Sequence, residues 1–207
     1  MWNIFDEVNM NVIETIIRDV ITTIYPSFVS GIIFAVLIMF TFNYANEKGF
    51  KNIVSEWIER FKRDKYYRFK FYCAFYIFVV LCKTILCRPY HVSPLSNVIG
   101  EWGLYTEDGK INVDPFENFI LFIPLTILLF ESVPKRFFRT RRLNIFDVVL
   151  KSMIVSFGVS LSIELLQAFF KLGTFQISDL VFNTSGGILG GILYFIFNIK
   201  LKRKKKQ

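Results

Sequence analysis

An acid and an amide three residues apart, Glu164 and Gln167, stand inside a run that is otherwise almost wholly apolar. Ser152, Ser156 and Ser160 precede Glu164 at four-residue intervals, and Gln167 and Lys171 extend the same broad helical face. A charge at mid-membrane costs about 2.5–3.5 kcal/mol on insertion scales. Thirteen Leu, Ile, Val or Phe between 148 and 170 outweigh that cost, so the segment inserts despite Glu164. Such a stripe cannot face lipid cheaply and must face other helices or a wet cavity. The serines alone are accounted for as interhelical glue. A carboxylate in that setting is suited to acid–base work or to holding a ligand's polar groups, because burial favours its protonated form.

Lys83 is a second charge inside an apolar run. It either snorkels to the interface or pairs with Glu164. Arg88, Tyr90 and His91 follow that run; Asp114, Glu117 and Asn118 open the next; Asp179 and Asn183, one turn apart, open the last. Asp114 and Asp179 are placed to cap helix N-termini. His91 is the sole histidine, and Cys73, Cys82 and Cys87 share one apolar segment without metal-ligand company, so no metal and no cofactor are expected. No HExxH, phosphate-binding glycine loop or GxSxG elbow is present. Ser185, in NTSGG, lacks a histidine in its segment and fits packing better than nucleophilic catalysis.

Long apolar stretches position these residues. The 207 residues are 53% hydrophobic and 18% aromatic, with 25 Phe, and their charges fall in blocks between uncharged runs. About 20 apolar residues cross a bilayer as a helix. Spans are predicted near 25–44, 69–87, 116–133, 147–170 and 180–199, after an acidic, surface-lying helix over 4–22. The fold class is therefore all-α: a polytopic integral membrane protein with about five transmembrane helices. Basic residues crowd 46–70, 134–146 and the LKRKKKQ tail, whereas 88–115 and 171–178 are poor in them. That alternation puts the N-terminus outside and the C-terminus inside. The net charge of +8 reports this topology, and no nucleic-acid partner is expected. Residues 50–61 carry an apolar helical face among basic residues and suit an amphipathic helix on the inner leaflet. Gly186, Gly187, Gly190 and Gly191 form overlapping GxxxG patterns that let a neighbouring helix approach. No removable signal peptide is expected.

The segment SIELLQAFFKLGTFQISDLVFNTSGGILG (162–190) resembles the signature of VanZ-like proteins. The match falls on Glu164, Gln167, Asp179, Asn183, Thr184, Gly186 and Gly187. ENFILFIPLTILLF (117–130) resembles the family's entry to a span, with Asn118, Phe122 and Pro124, and Lys83 is also family-like. In HVSPLSN, Leu95 replaces a usual aromatic, and the turn LGTFQISD lacks an Arg that many members carry. The resemblance covers roughly 70–198. It divides the chain into an N-terminal helix, span and basic amphipathic segment (1–68), a VanZ-like four-helix membrane domain (69–199) and a basic tail (200–207). It implies the plasma membrane of Gram-positive bacteria and a link to low-level resistance to teicoplanin, a lipidated glycopeptide. Two functions are then open. One is a non-enzymatic protein binding an amphiphile at the outer leaflet, either a lipid-linked cell-wall precursor or a lipoglycopeptide. Lys83, Arg88 and the helix N-termini near Asn118 and Asn183 would hold an anionic headgroup, and aromatic-rich spans the tail. The other is an intramembrane enzyme acting on a lipid-linked envelope precursor, with Glu164 as acid or base and Asp179 assisting. Membrane lipids surround the protein in both.

Overall fold

The computed structural model describes residues 2–44, 50–90, 93–103, 112–133 and 144–204. His91, most of the basic turn expected at 134–146 and the end of the tail lie outside the described residues. The described residues form six α-helices: α1 (Trp2–Tyr44), α2 (Phe50–Arg63), α3 (Lys65–Leu81), α4 (Asp114–Ser132), α5 (Ile145–Phe170) and α6 (Ile177–Lys204). A π-helical turn, Cys82–Leu86, extends α3. Among the described residues, four helical stretches are long and apolar enough to cross a membrane: Lys65–Leu86, Asp114–Ser132, Ile145–Phe170 and Ile177–Asn198. Tyr25–Thr41, within α1, is a shorter apolar stretch. The protein is thus an all-α, multi-pass membrane protein.

Local signals explain where the helices begin and stop. Asp64 accepts a hydrogen bond from the Tyr66 N–H at 2.8 Å and caps α3, while its own N–H bonds the Arg60 carbonyl at 2.8 Å. One residue therefore ends α2 and starts α3. Pro115 opens α4, where its missing N–H costs nothing. Asn144 caps α5 by accepting from the Phe146 N–H at 3.2 Å. Lys171 ends α5 in the left-handed conformation, φ 54°, and is exposed. It leaves the polar face it was expected to extend.

One expectation changes here, and the expected helix over 50–61 is found as α2 with packing of its own. The acidic lead-in and the first span are one unbroken helix of 43 residues, about 64 Å long. Pro26 lies inside it, and with no glycine before Gly31 nothing else interrupts it. The apolar face of α2 turns largely onto its neighbours rather than lying freely on lipid. Ile53 is buried, and Trp57 stacks on Phe40 of α1 at 6.2 Å and meets Phe71 of α3 edge-on at 6.5 Å.

α6 packs along both α4 and α5, α3 along α4, and α1 along α3. Two glycine faces let α6 sit so close. A Cβ on Gly186 or Gly190 would collide with the carbonyls of Phe119 or Ile123 on α4. A Cβ on Gly187 or Gly191 would collide with Ser156 or Ser152 on α5. The serine stripe is interhelical glue: Ser152, Ser156 and Ser160 are all buried, and Thr126 of α4 shares a 3.2 Å hydrogen bond with Ser156. Apolar clusters above and below complete the core, one around Phe122, Val80, Leu125 and Ile163, the other around Phe130, Val148 and Tyr194.

Candidate functional site

Because the helices alternate in direction, the ends of α3 and α5 meet the starts of α4 and α6. All seven sequence-predicted site residues gather at this polar end. Glu164 is 1% exposed and accepts the Gln176 backbone N–H on Oε2 at 2.8 Å. Gln176 immediately precedes α6, so the carboxylate sits at that helix's positive end. Asp179, in the first turn of α6, is half-buried and lies beside Asn118 of α4 and Ser178, whose side chains favour its charged form. Arg88, just beyond the π-turn, forms no direct ion pair among the described residues. Its charge nonetheless acts on both Glu164 and Asp179. A Cβ at Gly173 would lie 3.2 Å from its guanidinium and 3.8 Å from Gln167, so the absent side chain keeps that approach open.

The π-turn accounts for Gln167. Widening the turn lets the Cys87 N–H reach back to the Cys82 carbonyl at 3.1 Å, while the Arg88 N–H faces Ile85. The Thr84 carbonyl is thereby left without a helical donor, and Gln167 Nε2 supplies one at 2.8 Å. Gln167 Oε1 remains buried with no partner among the described residues. Asn183 behaves alike: Nδ2 donates to Ser160 at 2.9 Å, and Oδ1 is buried without a partner.

Several expectations are corrected. Lys83 does not pair with Glu164; its Nζ lies 2.7 Å from Glu117 Oε2, a carboxylate one turn into α4 and itself buried. α3 packs on α4, and the π-turn directs Lys83 to that side. Lys83 is therefore already neutralised rather than open to an anionic headgroup. Neither Asp114 nor Asp179 is an N-cap: α4 is preceded by Val113, with Asn112 accepting the Asp114 N–H at 3.2 Å, and α6 by Gln176. Asn183 lies nearly two turns inside α6, too deep to act as part of its N-terminus. Ser185 faces outward, exposed, away from the cluster.

The turn between α5 and α6 is held by the loop after α3. Phe175 and Ile177 N–H donate to the Pro94 and Val98 carbonyls, each at 2.9 Å. Gly100, at φ 77°, lets this loop pass against Ser178, where a Cβ would clash. Sequence reasoning missed Glu131 at the opposite end of the bundle. It receives Lys65 Nζ at 3.3 Å and Asn198 Nδ2 at 3.2 Å. An acid closing a span beside a basic stretch was the available signal.

Among the described residues, the junction thus brings together the Arg88 cation, the Glu164 and Asp179 carboxylates outside direct ion pairs, and two unpartnered amide oxygens. It is richer in acceptors than in donors. A family model described as VanZ/LLP1 matches residues 28–198. The match starts well before residue 70 and takes in the apolar stretch of α1 and all of α2, which the resemblance had left out. No curated protein and no solved structure matches the chain.

Proposed function

The chain belongs to the VanZ/LLP1 family, and from that premise we propose that it is a cell-envelope protein that binds an amphiphile at the outer leaflet of a Gram-positive plasma membrane, without catalysis. The ligand is a lipid-linked cell-wall intermediate or a lipoglycopeptide such as teicoplanin, and binding confers low-level tolerance to the latter. The observation that carries this reading is the pair of unpartnered buried oxygens, on Gln167 and Asn183, beside Glu164, Asp179 and Arg88. Buried polar atoms are rarely left so, and here a ligand's hydroxyl, amide or ammonium donors would satisfy them. Arg88 would take a phosphate or carboxylate oxygen of the same headgroup. Sugars with amide and ammonium groups present that mixture. Glu164 accepting a backbone N–H fits positioning of α6 better than proton transfer, which disfavours the enzymatic reading.

Membrane abundance and teicoplanin tolerance, measured in parallel for Glu164→Gln and Arg88→Ala, test it. Gln keeps an acceptor for the Gln176 N–H, so the variant is expected to fold and accumulate yet lose the tolerance the protein confers. Well-folded variants with full tolerance would overturn the reading. Orientation is tested with Leu95→Cys in a Cys87→Ser background, since Leu95 is 69% exposed. An impermeant maleimide should label it in intact cells, while Arg63→Cys should label only after permeabilisation.

A further inference from the structure

The stretch between α3 and α4 divides by charge. From Pro89 to Gly100 it holds no Asp, Glu, Lys or Arg, whereas Glu101, Glu107, Asp108 and Asp114 follow. At the border stand Val98, Ile99 and Trp102, all exposed, Ile99 at 70% and Trp102 at 52%. Their contacts with α6 set their level in the membrane. The Ile177 N–H donates to the Val98 carbonyl at 2.9 Å, and the Ser178 N–H to the Ile99 carbonyl at 3.3 Å. Ile177 is the first residue of the membrane-crossing stretch Ile177–Asn198. Val98 and Ile99 are therefore level with the start of a span. Trp102 reaches deeper, because its ring packs on Phe182 at 6.0 Å. Phe182 lies about 7.5 Å along α6 from Ile177. The same flank of α6 exposes Ile177 and Val181, so lipid already surrounds it. Polar groups of this loop are matched within the protein. Besides the two bonds from α6, the Ile99 carbonyl accepts Trp102 Nε1 at 3.1 Å, and the Gly100 N–H donates to Asn97 Oδ1 at 3.2 Å. Irregular backbone is tolerated near the hydrocarbon only when its polar groups are satisfied in this way.

We propose that Val98–Trp102 is an interfacial anchor. Its apolar side chains enter the boundary between headgroups and acyl chains in the leaflet at the polar end of the bundle, and that lipid surface is its partner. Continuity selects lipid over a protein partner: the patch is bonded to the first turn of a span and merges with Ile177 and Val181, which face lipid themselves. An indole, with a broad apolar body and one N–H, suits that boundary. The anchor stands without the amphiphile reading. Together with it, the anchor sets the route of approach. The anchored loop is tied to the turn between α5 and α6, whose Gln176 holds Glu164. The junction is thereby kept at headgroup level, where a headgroup reaches it from within the leaflet rather than from bulk water.

The test uses the full-length protein in phosphatidylcholine nanodiscs, with Trp2→Phe and Trp57→Phe leaving Trp102 as the sole tryptophan. Lipid brominated close to the headgroup should quench most of the Trp102 emission. Lipid brominated near the chain ends should quench it less, and aqueous iodide least. Quenching that is strongest with iodide, or strongest from the chain ends, overturns the anchor. A nitroxide on Ile99→Cys in a Cys87→Ser background gives an independent reading that keeps Trp57 in place. Molecular oxygen, which concentrates in lipid, should relax this label more than a water-soluble nickel complex does. The reverse order overturns the anchor. Protection from both reagents marks cover by protein, such as a second copy of the chain, and overturns it as well. Any of these failures leaves the headgroup reading to its tolerance test.

Discussion

The two ends of the helix bundle contain similar residue types in opposite states. At the end where α4 finishes and α5 begins, carboxylates are matched. Both Glu131 oxygens are engaged, by Lys65 and Asn198, and Asp147 pairs with Lys151 at 3.1 Å. At the other end, among the described residues, only Glu117 has a direct cation, and Gln167 and Asn183 each bury an amide oxygen with no partner. The first arrangement satisfies its own carboxylates. The second leaves acceptor oxygens over, which the proposed ligand would use, whereas the atom left over at the first end is a donor, Trp57 Nε1. Charge alone would not separate them; the difference lies in which hydrogen-bonding atoms are left over.

The largest effect expected is one that breaks both ends together. Gly187→Leu drives a side chain into Ser156 and pries α6 from α5, and overpacking of this kind costs about 3 kcal/mol. Thermal unfolding in detergent should show a large drop together with reduced membrane levels. Unchanged stability would mean that α6 does not link the ends. Glu131→Ala is expected to cost about 1 kcal/mol, because Lys65 is half-exposed and its ion pair is worth little. Tolerance should persist in proportion to the protein present, and a selective loss of tolerance would place function at both ends. Asn183→Ala removes one hydrogen bond and one unpartnered oxygen, so stability should change by less than about 1 kcal/mol. Tolerance should nonetheless fall, the reverse of the Glu131 outcome. Ser185→Ala should change neither abundance nor tolerance; lost tolerance at full abundance would revive a nucleophilic role.

Much of this was legible in the chain. Uncharged runs gave the membrane helices to within a few residues, since a bilayer fixes their length. Four-residue spacing on 152–164 and 183–191 gave the faces through which α5 and α6 meet. The partner of Lys83 was not legible, because both Glu117 and Glu164 lie at the same level and only packing of α3 against α4 chooses between them. Nor was the bond from Gln167 to Thr84, which depends on one widened turn, although Pro89, five residues after Thr84 and without an N–H, was a signal that a carbonyl there would lack a helical donor. The continuity of α1 was hidden by its composition, because the acidic stretch over 4–22 and the uncharged run after it look like two elements in sequence and are one helix in structure.

That widened turn also sets an angular phase. Each residue of an α-helix advances about 100° around the axis. The π-turn at Cys82–Leu86 accommodates one residue more than a regular turn would, so everything after it is rotated relative to the helix below. Lys83 inside the turn pairs with Glu117 of α4, while the charge of Arg88 beyond it acts on Glu164 and Asp179 at the junction of α5 and α6. Excising one residue from the turn would leave both basic side chains in the protein and the helix nearly the same length. It would turn Arg88 about a quarter of a revolution away from the acids it serves, so the position of this cation is a matter of timing along the chain as much as of composition.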